Sequence, residues 1–265
     1  MGVGSKMKKI LLIYFILPAL VLANPPKHEG IVSSLNIGLR YSSTLQNRGV
    51  IYYDDFQIDP VVGIFFVDDQ VEFLGDSLGF KKFIAKDWLR IRSKFTSLTD
   101  KPLFPARKSL KEKFYHRKDT YEWSNHLEFF LPGYNDNYWG EIDLTYAKDI
   151  SAHQGNYFEI LSKFKLFTFV VPKIEIKIEP NLFASLGWGD GLHNRYFYGP
   201  SAYNSGLNNL SYGLWFAFPD ESDRYFPIIQ LKHFQTLGIN KNADYARDYN
   251  EGWLFSFIAT YGVLE

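Results

Sequence analysis

From residue 31 to the end of the chain, apolar side chains recur at every second position. Leu35, Ile37, Leu39 and Tyr41 alternate with Asn36, Gly38 and Arg40. Tyr121, Trp123, Leu127 and Phe129 alternate with Glu122, Ser124, His126 and Glu128, and Ile142, Leu144 and Tyr146 with Glu141, Asp143 and Thr145. Neighbouring side chains on an extended strand point to opposite faces, so each segment carries one apolar and one polar face. A helix would need apolar residues at i, i+3, i+4 and i+7, and no segment sustains that spacing. The pattern predicts an all-β chain.

Eleven segments alternate in this way: 31–42, 56–67, 70–84, 88–98, 120–132, 137–149, 157–170, 173–188, 208–218, 225–237 and 252–263. Most are longer than the usual strand of about 5 or 6 residues. A tilted strand crossing a bilayer needs about 9 to 11. Long alternating strands joined by turns are the mark of an antiparallel, up-and-down transmembrane β-barrel. The alternative is a soluble sandwich or a lipocalin-like barrel. The connections at 85–87, 133–136, 171–172 and 219–224 are short, and those at 99–119, 189–207 and 238–251 are long. Barrels of this class have short periplasmic turns and long external loops, so the strand opening at Trp88 runs outward and the last one ends in the periplasm. Eleven strands cannot satisfy this orientation at both chain ends. Splitting the span 48–67 at Asp59-Pro60, where proline suits a turn better than a central strand, brings the count to twelve. Ten is the alternative, with the first segment outside the barrel.

The N-terminus reads as an address. Met7-Lys8-Lys9 precedes the apolar run Ile10 to Leu17, with Val21 and Ala23 at the positions a signal peptidase reads. Residues 1–23 are therefore expected to be a signal peptide and residues 24–265 the barrel domain. Removal of 1–23 takes away Lys6, Lys8 and Lys9 and no acid, leaving 26 basic and 29 acidic side chains and a formal charge of −3. Such a balance offers no global field for nucleic acid. With no cysteine in the chain, disulfides, Cys-ligated zinc, thiol nucleophiles and an acylated lipoprotein cysteine are all excluded. The expected location is the outer membrane of a Gram-negative envelope, with membrane lipid and lipopolysaccharide as partners. The aromatic surplus, 24 Phe, 18 Tyr and 6 Trp, fits a lipid-facing surface with interfacial girdles. Tyr121, Trp123, Tyr146, Trp188, Tyr212, Phe255 and Tyr261 are expected there.

If apolar residues face lipid, the alternate positions face a lumen. These include Arg90, Arg92 and Lys94; Glu122, His126 and Glu128; Glu141 and Asp143; Lys163 and Lys165; and Glu175 and Lys177. Facing walls of mixed sign predict an ion-pair network that closes a narrow interior, against the alternative of a solute-selective pore. Candidate chemistry is sparse. Ser124-Asn125-His126 sets a serine and a histidine on one strand face; outer-membrane lipid hydrolases resemble this in carrying a His and a Ser two residues apart, but in the reverse order, and here both are expected to face the lumen and not lipid. A third group is needed to orient the base, and Glu122 or Glu128 are the sequence candidates. The expectation is a satisfied lumen histidine and no enzyme activity. His116, His153 and His193 fall in loops without ligands at metal spacing, so no metal or cofactor is expected. Asp54-Asp55 and Asp68-Asp69 read as solvated turns. The basic stretch Lys108, Lys111, Lys113, Arg117, Lys118 reads either as a lipopolysaccharide contact or as a solvated loop.

The order of these elements resembles the MipA/OmpV family of outer-membrane proteins, named for MltA-interacting protein. The likeness lies in Gly38-Leu39-Arg40-Tyr41-Ser42-Ser43, in Pro60 to Phe73 with its Asp68-Asp69, and in Trp88 and Trp139 after short turns. It lies also in Asp190 followed by Arg195-Tyr196-Phe197-Tyr198-Gly199, where Asp190, Tyr196, Phe197 and Gly199 match a family-like loop. The chain departs from the family in lacking a Ser-Pro between Leu237 and Asn250 and in ending Val263-Leu264-Glu265. The resemblance implies a barrel without catalytic residues, with a scaffolding role that holds a lytic transglycosylase near a peptidoglycan synthase. Its alternatives are a narrow porin-like channel and a surface adhesin.

Overall fold

The computed structural model describes residues 32–43, 45–47, 50–53, 57–66, 70–85, 88–98, 120–132, 138–171, 176–218, 225–244 and 250–264. The expected signal peptide, the acidic pairs at 54–55 and 68–69, the basic stretch at 108–118 and His116 lie outside them.

Twelve antiparallel strands close into a barrel. They are β1 (Val32–Ser42), β4 (Gln57–Phe66), β5 (Val71–Leu74), β6 (Ser77–Ala85), β7 (Leu89–Leu98), β8 (Thr120–Pro132), β9 (Tyr138–Asp149), β10 (Asn156–Lys165), β12 (Ile176–Gly189), β13 (Gly206–Ala217), β14 (Tyr225–Thr236) and β15 (Glu251–Leu264). Each strand of the ring pairs with its sequence neighbours, β1 pairs with both β4 and β15, and the β10–β12 pairing completes the circle. The first segment is thus a barrel strand, which removes the ten-strand alternative. A small hairpin of β2 (Leu45–Asn47) and β3 (Val50–Tyr53) stands in the connection after β1. Residues of β11 (Phe169–Val171) extend the edge of β12.

The strand count of twelve holds, but its derivation needs correcting. The span 48–67 is not divided at Asp59-Pro60: Pro60 lies inside β4, opposite Leu39 of β1. The extra strand comes from 70–84, which turns back on itself at Gly75-Asp76 to give β5 and β6. Gly75 has φ +58, a left-handed conformation that glycine enters without the steric penalty of a Cβ. Proline is accommodated in β4 because β5 pairs only with Gly63 to Phe66, leaving 57–62 with a ladder partner on the β1 side alone among the described residues. A missing N–H there interrupts no second ladder.

The molecule is inside-out. Among the described residues, nineteen polar or charged side chains are buried against ten apolar ones. The outer wall carries Leu39, Leu78, Leu127, Ile160, Leu186 and Leu231, each about two-fifths exposed or more. Tyr121, Trp123, Tyr212, Phe255 and Tyr261 are exposed on the same surface. Tyr146 and Trp188 are half-buried there because both rings pack on Phe158, at centroid distances of 4.9 and 5.5 Å.

Replacing Gly75 by valine forces a β-branched residue to positive φ and should lower stability by roughly 1–3 kcal/mol. Pro60→Ala should shift it by no more than about 0.5 kcal/mol. The midpoint of heat-modifiable gel mobility in the two variants measures both; equal midpoints would contradict this assignment of turn and strand.

Candidate functional site

The barrel register sets the inward side chains of β7, β8 and β9 in three rows. Arg90 stands opposite Glu128, and Glu128 opposite Asp143. Arg92 stands opposite His126, which faces Thr145, and Lys94 stands opposite Ser124, which faces Ala147. Adjacent strands lie about 4.8 Å apart, so long side chains in one row reach the next.

Glu128 is 0% exposed, accepts from Arg90 Nε and pairs with the Arg92 guanidinium, whose Nη2 lies 2.7 Å from Oε1. Arg92 also lies 3.6 Å from Glu72, itself 2% exposed, and Lys81 Nζ lies 3.4 Å from the other oxygen of Glu72. Four strands are thereby tied by one buried charge cluster. The Arg90 guanidinium is held over the rings of Phe130 and Phe83, at 4.7 and 5.4 Å, near the short-turn end. A second group runs along β9, β10 and β12: Lys163 bonds Glu141 at 3.2 Å, and Lys165 and Lys177 converge on Glu179 at 3.1 and 2.9 Å. Glu179 follows Glu175 and Lys177 in the same alternation, which assigns it to the lumen from the sequence as well. Glu122 is buried on the inner wall of β8, and Glu175 lies outside the described residues.

Carboxylate oxygens of Glu128, Glu141 and Asp143 come within 4.8 Å of one another. Arg90, Arg92, Lys163 and His126 lie within ion-pair distance of these three, so basic side chains of the chain itself already face the cluster.

His126 is held from both ring nitrogens. Its Nδ1 lies 3.1 Å from Asp143 Oδ2, and its Nε2 lies 3.1 Å from Ser124 Oγ. Thr145 Oγ1 lies 2.9 Å from Nδ1 and donates to Asp143 Oδ1 at 3.2 Å. The carboxylate beside His126 is therefore Asp143, from the next strand. Glu128, proposed from the sequence for that place, is engaged by the two arginines instead. The i, i+2 spacing of Ser124 and His126 was visible in the sequence. Asp143 was not, because it reaches the ring only through the β8–β9 register.

The connection 190–205 holds a helix, α1 (Gly191–Tyr198), where the sequence predicts only a loop. Asp190 caps it, accepting from His193 N at 2.9 Å through one oxygen. The other oxygen accepts from Asn156 N and Nδ2 at 2.9 and 2.6 Å, which fastens the helix start to β10. An Asp three residues before the first buried helical side chain is the N-cap signal that could have revealed it. Phe197 and Tyr198 are fully buried, and His193 packs between Tyr157 and Phe197 at 4.9 and 4.5 Å. Tyr196 stacks on His153 at 4.5 Å, and Gly199 ends the helix at φ 105. The four family-like loop residues thus build one folded cap over the β10–β12 side of the long-loop mouth. A Cβ on Gly155 would collide with the backbone nitrogen of His193, so this cap rests directly on the β9–β10 loop.

No protein-family model matches the chain, and no curated protein matches it. Among solved structures, the chain is similar to the COG4313 outer membrane channel from Pseudomonas putida F1, at 11% identity and TM-score 0.37, over 90% of this chain and 99% of that one. It is also similar to CarO2 of Acinetobacter baumannii, at 8% identity and TM-score 0.22, over 88% and 100%. A further similarity is to Ail, the attachment invasion locus protein of Yersinia pestis, at 9% identity and TM-score 0.17, over 87% and 96%. Likeness at this level adds nothing to what the strand pairing itself establishes.

Truncating Glu128 to alanine strands Arg90 and Arg92 in the interior and should cost about 3–5 kcal/mol, read from urea unfolding of the refolded barrel. Gly155→Val should expose Arg195 of α1 to trypsin while the barrel stays heat-modifiable; unchanged protection would argue against the close packing of helix and loop.

Proposed function

We propose that the chain is an outer-membrane β-barrel that serves as a closed, structural body of the envelope and not as an open pore. The apolar outer wall supports the membrane location. Among the described residues no helix is long and apolar enough to cross a bilayer, whereas strands such as β8 and β15, with 13 and 14 residues, exceed the span a tilted strand needs. A water-exposed outer wall bearing Trp123, Leu127, Phe158, Ile160 and, farther round the barrel, Trp253 would be an aggregation hazard, and lipid is its natural solvent.

The observation that carries the closed reading is the buried cluster of Glu72, Glu128, Arg90, Arg92 and Lys81. Its three cations and two anions interleave, so among the described residues this cluster presents charges of both signs and not a single-sign eyelet that selects an ion. The helical cap adds a second obstruction at the other mouth. A body of this kind acts through its two rims. The resemblance to the MipA/OmpV family names the partner class to test: a lytic transglycosylase held at the periplasmic side beside a peptidoglycan synthase. The short turns at 133–136 and 220–223, where such a partner would dock, fall largely outside the described residues.

Wild-type protein in planar bilayers should show no steady conductance above the bare membrane. A stable open channel would overturn the closed reading in favour of a porin-like one. Bromine-labelled lipid should quench tryptophan fluorescence, less so after Trp123→Phe and Trp253→Phe; full quenching that survives both changes would contradict the lipid-facing assignment. Co-purification of a lytic transglycosylase with the intact barrel tests the scaffold, and clean absence would remove it.

A further inference from the structure

We infer that Ser124, His126 and Asp143 form a hydrolytic triad inside the barrel that acts on carboxylic esters. The three carry a proton relay in the required order. Ionised Asp143 can only accept hydrogen bonds, so the Nδ1 it faces must carry the proton. In the neutral ring Nε2 then presents its lone pair, and the partner 3.1 Å away, the Ser124 hydroxyl, donates to it. The other acceptor near this hydroxyl, the carbonyl oxygen of Lys94, is farther at 3.4 Å. Thr145 strengthens the arrangement by donating to the second oxygen of Asp143. Nucleophile, base and orienting carboxylate are thus assigned by hydrogen-bond polarity and not by distance alone.

The surroundings suit acyl transfer. In the register Ser124 stands between Lys94 and Ala147. A lysine thus flanks the nucleophile on one neighbouring strand and a small side chain on the other. Glu128, centre of the ion-pair cluster, lies four positions nearer the short-turn end on the same strand. That stretch spans roughly 13 Å at about 3.3 Å per residue, but the register sets Glu128 opposite Asp143, with their carboxylate oxygens within 4.8 Å, so the ion-pair cluster adjoins the orienting end of the triad. The inference goes beyond the structural role and does not depend on any envelope partner.

In the first half-reaction Ser124 Oγ bonds to the ester carbonyl carbon as its proton passes to His126 Nε2. The C–O bond to the alcohol breaks, and His126 returns the proton to the departing alkoxide oxygen. In the second, water attacks the acyl-serine, gives its proton to His126, and the carboxylic acid leaves as Ser124 regains a proton. No oxidant, metal or further reactant is needed.

The test uses the full chain refolded in detergent, its folding checked by heat-modifiable mobility. A fluorophosphonate is added, adducts are mapped by mass spectrometry, and p-nitrophenyl butyrate hydrolysis is followed. The expected result is an adduct on Ser124 of the wild type, absent in Ser124→Ala, with ester turnover lost alongside it. Asp143→Asn should lower the limiting labelling rate constant by about three orders of magnitude or more, while the concentration for half-maximal rate stays unchanged. A merely structural Asp143 would not produce that split. Folded wild-type protein with no adduct on Ser124, or equal hydrolysis by Ser124→Ala, overturns the proposal. The wild-type map alone decides if the variants do not fold.

Discussion

Closure of the sheet is the constraint from which the rest follows. β10 and β12 pair from Tyr157 opposite Gly189 to Lys165 opposite Asn181, which leaves the ring without a free end. In hydrocarbon each unpaired backbone group costs several kcal/mol, so a sheet in lipid must close. Once it closes, period-two alternation has only two destinations: an outer wall and a lumen. Every side chain on the strands is committed to one or the other, and a register slip of one residue would exchange them all.

That commitment explains the distribution of charge. Arginine and lysine on the outer wall would cost roughly 2–4 kcal/mol each at the membrane midplane. Turned inward, Arg90 and Arg92 instead meet Glu128 on the facing strand, and the carboxylate is neutralised where no water reaches it. The lumen therefore behaves as the polar core of the molecule. Its residues hold the walls together by ion pairs, as apolar side chains do in a soluble protein. The ion-pair cluster and the Ser124–His126–Asp143 relay, which adjoin where Glu128 faces Asp143, are two outcomes of one lattice, three rows of inward side chains set by the pairing of β7, β8 and β9.

One stretch of wall departs from the regular pattern. β5 has four residues, and its hairpin with β6 turns at Gly75 partway up the wall. Along the chain, 70–84 is apolar-rich on both sides of the turn, but the buried positions change from even (Glu72) to odd (Ser77, Gly79) across it. The cue was Gly75-Asp76, a turn dipeptide interrupting an apolar run, whereas Pro60 drew attention to a place where an edge position tolerates it. A proline is evidence of a turn only where both sides of a strand are paired.

The sequence by itself determined the strand class, the approximate limits of most strands, which faces are apolar, which end bears the long loops, and that charged side chains point inward. These follow from local periodicity, which survives without knowledge of partners. The tertiary structure alone decided which charges meet. That Glu128 is engaged by Arg90 and Arg92, that Asp143 reaches His126, and that Asp190 fastens α1 to β10 all depend on register between strands. Alternation assigns a side chain to a face, but only the inter-strand hydrogen bonds set its height on that face, and the height determines its neighbours.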